Sequence, residues 1–188
     1  MGKELFSDGP LFSILPLKRA KVGILVTGTE VFKGLIKDSF FSVIAGKVEA
    51  LGSSVNGHEI VPDDQEQIAA GVTRLLESGA DLIVTTAGLS VDPGDVTLPG
   101  LKDAGLEDLI HGMPILPGAM TLTGRIGNAR VLGVPACALY FKITSFDLLL
   151  PRVLAGVEIT RKDIACMGEG GFCLNCKVCT FPKCPFGK

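Results

Sequence analysis

Apolar and polar positions along this chain fall into blocks that switch between two periods. Lys21-Val-Gly-Ile-Leu-Val-Thr27 is a near-continuous apolar run of strand length, and Leu82-Ile83-Val84 within residues 81–86 is another. Runs of this kind belong to strands buried on both faces. Between them the period becomes helical. After Asp38-Ser39, the apolar positions Phe41, Ile44, Val48 and Leu51 predict an amphipathic helix over residues 38–51, ended by Gly52. Ser53–Val61 reads as a strand weakened by Asn56 and Gly57. Asp63 and Asp64 open the next helix, with Gln67 three positions after Asp64 in a capping-box-like arrangement. Ile68, Val72, Leu75 and Leu76 are its buried stripe, and Gly79 stops it.

A third helix closes between Leu101 and Gly105, and strand-like pieces follow at Ala119–Ile126 and Arg130–Val134. Ala138–Leu154 reads as a last buried helix that Pro151 kinks or closes, with Tyr140, Phe141 and Phe146 as core. The order β-α-β-α-β-α with short right-handed crossovers predicts an α/β fold, a three-layer α/β/α sandwich on a mainly parallel sheet. Residues 1–20 carry turn residues (Asp8-Gly9-Pro10, Pro16) and no sustained period. They read as an N-terminal arm or linker, an abrupt start that a fragment of a longer protein would also show. Residues 21–156 are then the domain proper, and 157–188 a cysteine-rich, metal-binding tail.

Composition narrows the function classes. A length of 188 residues suits one domain, and 47% hydrophobic against 20% charged residues excludes a disordered chain. A formal charge of −2 leaves no basic footprint for nucleic acid. No apolar run reaches the roughly 20 residues of a membrane helix. Lys3, Glu4, Asp8, Lys18 and Arg19 interrupt the first twenty positions, unlike a signal peptide, so a cytoplasmic protein is expected.

The chemistry concentrates where strands end. After residues 81–86 the chain passes through Ala87-Gly88 to Ser90, Asp92 and Asp95, and Asp95 stands where it could cap a following helix. Strand, small-residue loop and capped helix make an anion site in an open α/β sheet. The plainer alternative is an ordinary connection with Asp95 as a cap. Thr27-Gly28-Thr29-Glu30 is a second polar, small-residue exit of the same kind.

Thr27-Gly28-Thr29-Glu30, Ile36-Lys37-Asp38-Ser39, Ile60-Val61-Pro62-Asp63-Asp64, and Thr86-Ala87-Gly88-Leu89-Ser90 with Asp95-Val96-Thr97 together resemble the ordered signature of the molybdopterin-binding domain family. That family includes the MoaB/Mog adenylyltransferases and the molybdenum-insertion domain of MoeA-type proteins. The resemblance covers roughly residues 20–156. It implies molybdopterin as ligand or substrate, held at the carboxyl ends of the strands, in the molybdenum-cofactor pathway. It further implies pocket residues Thr27, Gly28, Glu30, Asp63, Gly88 and Ser90, with Asp95 as the catalytic acidic residue near the reacting phosphate, as Mg²⁺ ligand or positioning group, and Asp92 as a second candidate. As partners it implies a molybdoenzyme or another cofactor-pathway protein, and a homo-oligomer.

Three departures bear on activity. Ala87-Gly88 replaces paired glycines. Gly94 stands where adenylyltransferase members often carry Arg. Gly133-Val134-Pro135-Ala136-Cys137 replaces the Pro-Gly-Asn-Pro loop of insertion-type members. The readings are therefore a Mg-dependent adenylyl- or molybdenum-transferase, a non-catalytic cofactor carrier or sensor, and a CinA-like nucleotide-processing enzyme.

Five of the six cysteines lie between Cys166 and Cys184. Cys173, Cys176, Cys179 and Cys184, the last followed by Pro185, space as C-x₂-C-x₂-C-x₄-C-P, close to the ferredoxin run. Zinc is the competing metal and disulfides or free thiols the plain alternative. The ending Cys-Pro-Phe-Gly-Lys resembles tails on molybdopterin-binding proteins of anaerobes, which favours an Fe–S cluster. His58 and His111 read as surface or satisfied histidines, and Cys137 as an inert thiol.

Overall fold

Strands β1 (Lys21–Thr27), β2 (Ser54–Val61), β3 (Leu82–Thr86), β4 (Leu106–His111), β5 (Leu122–Ile126) and β6 (Ala129–Val134) form one sheet in the order β2-β1-β3-β6-β5-β4. The computed structural model describes residues 13–188 other than Val91 and Pro93; positions 1–12 of the expected N-terminal arm lie outside it. Parallel pairing joins β2, β1, β3 and β6, and β5 runs antiparallel to both its neighbours. The sheet is thus mixed, with one reversed strand inserted by the hairpin at Gly127-Asn128.

The helices are α1 (Thr29–Phe32), α2 (Phe40–Ala50), α3 (Gln65–Glu77), α4 (Thr97–Asp103), α5 (Ser145–Leu154) and α6 (Arg161–Met167). Side-chain alternation along each central strand feeds two cores. Val22, Ile24, Val26, Leu82, Val84, Leu132 and Val134 pack with α2 and α5, whereas Leu25, Ile83 and Val131 pack with α3 and α4. The apolar runs in β1 and β3 follow from this two-sided burial.

Sequence and structure agree on α2, whose first turn is closed by Asp38 accepting from the N–H groups of Phe40 (2.7 Å) and Phe41 (3.2 Å). They agree on α3, where Asp64 accepts from Gln67 N–H at 2.9 Å. Elsewhere the structure differs. β4 escapes the period-two pattern because the β4–β5 register shifts between Glu107 and Ile110, with Asp108 in the left-handed region (φ 51°). The strand expected from Ala119 begins at Leu122, since Thr121 N–H turns back to the Gly118 carbonyl (3.0 Å). The expected helix 138–154 divides into a 3₁₀ turn, Ala136–Leu139, and α5. A capping box of Thr144 and Asp147 starts α5, and Pro151 lies within it. Tyr140, expected in the core, falls in the gap and is 80% exposed; Phe146 is fully buried. A second capping box, Thr160 with Asp163, starts α6, which the pattern does not predict.

Residues 157–188 fold back on the domain. Ile159, Ile164, Met167 and Phe186 join the core cluster that holds α2 and α5. Among the described residues no helix is long and apolar enough to cross a membrane.

Candidate functional site

At the carboxyl end of β3 the chain makes two successive left-handed steps, Ala87 (φ 65°) and Gly88 (φ 58°). Glycine adopts this conformation freely; alanine does so at a cost of about 1–2 kcal/mol. Ala87 is therefore a strained residue held by its surroundings, its N–H donating to the Val134 carbonyl at the end of β6 (3.3 Å). Under Gly88 lies a knot of buried hydroxyls. Thr27 Oγ1 donates to the Thr86 carbonyl (2.8 Å) and lies 3.0 Å from Thr97 Oγ1. A Cβ on Gly88 would stand 2.3 Å from Thr97 Oγ1. The exit of β3 is thus shaped by contact with β1 and α4.

Beyond the knot, Ser90 N–H donates to Asp95 Oδ2 (2.7 Å) and Asp95 N–H to the Asp92 carbonyl (2.9 Å). This corrects the capping role expected of Asp95: Val96 precedes α4 without a side-chain cap, and the Asp95 carboxylate closes the loop instead. With seven residues, α4 also offers little of the helix field assumed for an anion.

The loop forms one wall of a cleft of about 700 Å³ at the carboxyl ends of β3 and β6. Gly88, Ser90, Asp92 and Asp95 line it on one side, Leu116 to Met120 on another, and Pro135 to Cys137 on a third. Phe141, Phe172 and Cys173 complete the rim. The lining is largely apolar with a few polar groups, as ligand pockets usually are. Among the described residues its charged side chains are Asp92 and Asp95. A phosphate entering here would meet two carboxylates and no cation from the lining, an arrangement that suits a bridging divalent ion held by carboxylate and phosphate oxygens. Burial pushes the Cys137 thiol up, consistent with an unreactive cysteine.

Four of the predicted residues come together in the cleft, and four do not. Thr27 is buried beneath it, and Gly28, Glu30 and Asp63 stand apart from it at the ends of β1 and β2. Asp63 Oδ2 accepts from Thr29 N–H (2.8 Å), and Asp63 N–H donates to Thr29 Oγ1 (3.1 Å), so this acid fastens the exit of β1. Glu30 is exposed on α1. The cleft therefore lies on the β6 side of β3, not between the 27–30 and 86–95 loops. The sequence pattern gives no sign that the 116–120 segment lines the cleft: Pro117-Gly118 signals a turn, but nothing local says that it faces Ser90. His58 stacks on Phe41 (4.2 Å between rings) with its Nε2 3.2 Å from Asp38 Oδ2, and His111 Nε2 lies 2.9 Å from the Leu89 carbonyl, so each histidine has a polar partner outside the cleft.

All six cysteines are unpaired thiols. Among the described residues no group of three His, Cys, Asp or Glu side chains converges as a single-ion site would. Cys173, Cys176, Cys179 and Cys184 instead line one cavity of about 290 Å³, walled by phenylalanines including Phe141, Phe172 and Phe186.

Residues 23–155 match the family described as "Probable molybdopterin binding domain". The chain is 38% identical over 87 residues to a CinA-like protein of Desulfosudis oleivorans, which covers 46% of this chain and 21% of that protein. It is 30% identical over 95 residues to the molybdopterin adenylyltransferase of Pyrococcus furiosus, covering 50% and 56% respectively. The matched region thus spans between about a fifth and just over half of these relatives. Among solved structures, the molybdopterin biosynthesis enzyme MoaB of Thermus thermophilus superposes with a TM-score of 0.59 at 24% identity, covering 73% of this chain and 97% of that one, a likeness of fold.

Proposed function

The chain belongs to the molybdopterin-binding domain family, and from that premise we propose that it binds molybdopterin in the cleft beside β3 and β6, as a cytoplasmic protein of the cofactor pathway. The observation that carries this reading is the meeting of Gly88, Ser90, Asp92 and Asp95 in one cleft of ligand size. The pterin ring system lies against the apolar side, toward Pro117 and Phe141, and its phosphate against the 88–95 loop. Asp92 and Asp95 would hold Mg²⁺, whose charge would offset their repulsion of a phosphate. Thr27 and Asp63 act beneath and beside the site by fixing the strand exits. Residues 21–156 form the pterin-binding domain, and Cys173, Cys176, Cys179 and Cys184 of the 157–188 tail would ligate a metal, as an Fe–S cluster or zinc.

The test is a titration of anaerobic protein with molybdopterin in the presence of Mg²⁺, the free fraction being read by pterin fluorescence after ultrafiltration. Micromolar or tighter binding, about −8 kcal/mol or better, is expected. The 38% identity to a CinA-like protein favours a second reading, a nucleotide-processing enzyme. ADP-ribose is therefore the comparison ligand, and binding of ADP-ribose without molybdopterin would replace the first reading by the second. Catalysis is separated from carriage by Asp95→Asn, which in an enzyme lowers turnover more than affinity.

A further inference from the structure

The cysteine cavity and the cleft are neighbours. Phe141, Phe172 and Cys173 line both. The segment carrying two of them is fastened to the cleft wall by backbone bonds: Leu116 N–H donates to the Gly171 carbonyl (2.6 Å) and Cys173 N–H to the Leu116 carbonyl (2.8 Å). Leu116 and Phe172 thereby pair as a parallel bridge. The approach is close enough that a Cβ on Gly171 would stand 2.0 Å from the Pro114 carbonyl oxygen. One strip of backbone therefore ends in a cysteine of one cavity and forms the rim of the other.

The cysteine cavity has the features of a cluster site. Its first three thiols keep the C-x₂-C-x₂-C spacing of ferredoxin-type runs, and the fourth follows after four residues where those runs have three. Zinc would require all four sulfurs at about 2.3 Å from one ion, and among the described residues no three of these side chains converge as a single-ion site would. A volume of about 290 Å³ suits a body of several atoms with sulfurs at its corners. Phenylalanines line part of it, while Cys176 and Cys179 are exposed; solvent exposure is one of the properties that set the potential of such clusters. Apart from its rim, little holds the 174–180 stretch: Leu174 and Val178 are more than two-thirds exposed, at 71% and 78%. A cluster joining Cys176 and Cys179 to Cys173 and Cys184 would supply the missing attachment.

We propose that Cys173, Cys176, Cys179 and Cys184 hold an iron–sulfur cluster that forms the outer wall of the cleft, so that cluster occupancy sets the cleft's affinity for its pterin ligand. The proposal rests on the pterin-binding reading for its ligand, though the cluster itself does not. With the cluster in place, Phe172 and Cys173 are held more firmly against Leu116; without it, the 174–180 stretch is released and the rim loosens. A ligand touching the rim then binds the loaded form better, and by linkage the bound ligand retains the cluster.

The experiment compares the full chain as apo protein, as protein reconstituted anaerobically with ferrous iron and sulfide, and as zinc-loaded protein. Iron, acid-labile sulfide and zinc are counted, and molybdopterin affinity is measured by the ultrafiltration assay. Cys176→Ser and Cys179→Ser, at positions that line the cysteine cavity alone, are taken through the same steps, with the urea midpoint as the folding control. The expected result is equal iron and sulfide in the native chain, loss of both in the two variants, and pterin binding at least tenfold tighter in the cluster-loaded form. Phe172→Ala should keep the iron and lose the tenfold difference. Zinc uptake without sulfide-bearing iron overturns the cluster, and absence of any metal overturns the site. A loaded cluster with unchanged pterin affinity overturns the linkage. A loaded cluster in a protein that binds no pterin in any form overturns the linkage through failure of the pterin reading and leaves the cluster standing, so the two failures are told apart.

Discussion

Gly88→Ala probes the foundation of the cleft with one methyl group. The backbone there has φ 58°, so an alanine costs about 1–2 kcal/mol in conformation. The new Cβ would overlap Thr97 Oγ1 at 2.3 Å, and Thr97 is fully buried, so its hydroxyl must leave the position 3.0 Å from Thr27 Oγ1. Displacing a buried hydroxyl from its partner costs a further 1–2 kcal/mol or so. Reduced freedom of the unfolded chain returns about 0.4–1 kcal/mol. The net expectation is a loss of about 2–3 kcal/mol. In urea melts this lowers the midpoint by about 1 M at unchanged slope, given slopes of about 1–3 kcal/mol per M. The same chemical change at Gly46, exposed within α2 and with nothing within 4 Å of an added Cβ, should instead stabilise by about 1 kcal/mol through helix propensity. Combining Gly88→Ala with Thr97→Ala removes the overlapping hydroxyl and should recover about 1 kcal/mol relative to additivity. A Gly88→Ala midpoint equal to that of the native chain would refute the hydroxyl knot as the support of this loop.

Three further outcomes follow from particular contacts. Removing Mg²⁺ should weaken molybdopterin binding at least tenfold, and Asp95→Asn should shrink that dependence; equal affinity with and without Mg²⁺, read by ultrafiltration, counts against a bridging ion. Burial raises the Cys137 thiol, so its thiolate fraction at pH 7.5 is below that of an ordinary thiol. Alkylation there should be slower than that of a small free thiol, accelerate above the usual thiol range, and be blocked by ligand in the cleft, as peptide mass mapping would report. The Asp163 carboxyl is held below the usual carboxylate range by Thr160, whose hydroxyl and N–H both donate to it. A lowered folded value means the contribution is present above the ordinary carboxylate pKa and disappears as pH falls through the depressed one. Amide exchange in α6 should therefore quicken in that acidic window, and Asp163→Asn should remove the pH dependence.

What the sequence determined by itself was whatever local physics repeats. The apolar runs of β1 and β3 and the 3.6-residue stripes of α2 and α3 each announce the surface they bury. The order in which they come limits the topology to a sandwich with parallel central strands. Cysteine spacing likewise marked a cluster of thiols, and the Ala87-Gly88 step marked the end of β3. Two helix starts that the hydrophobic periodicity does not predict carry a local signal, the reciprocal caps Thr144-Ser-Phe-Asp147 and Thr160-Arg-Lys-Asp163.

Only the tertiary structure decided which strand exits share a cleft. Gly88 and Ser90 face Leu116 to Met120 because β6 lies beside β3 and the chain before β5 folds over both, a juxtaposition no window of residues contains. Thr27, Gly28 and Glu30 have the composition of a site, and only the fold shows that Thr97 bonds to Thr27 and Asp63 to Thr29 at that exit. Asp95 has the position of a cap but bonds to Ser90, since a carboxylate takes whichever N–H the folded loop presents. The wall shared by the cleft and the cysteines depends on residues 55 apart, Leu116 and Gly171, meeting at 2.6 Å. Such long-range contacts are set by how the layers pack, and packing is a property of the whole chain.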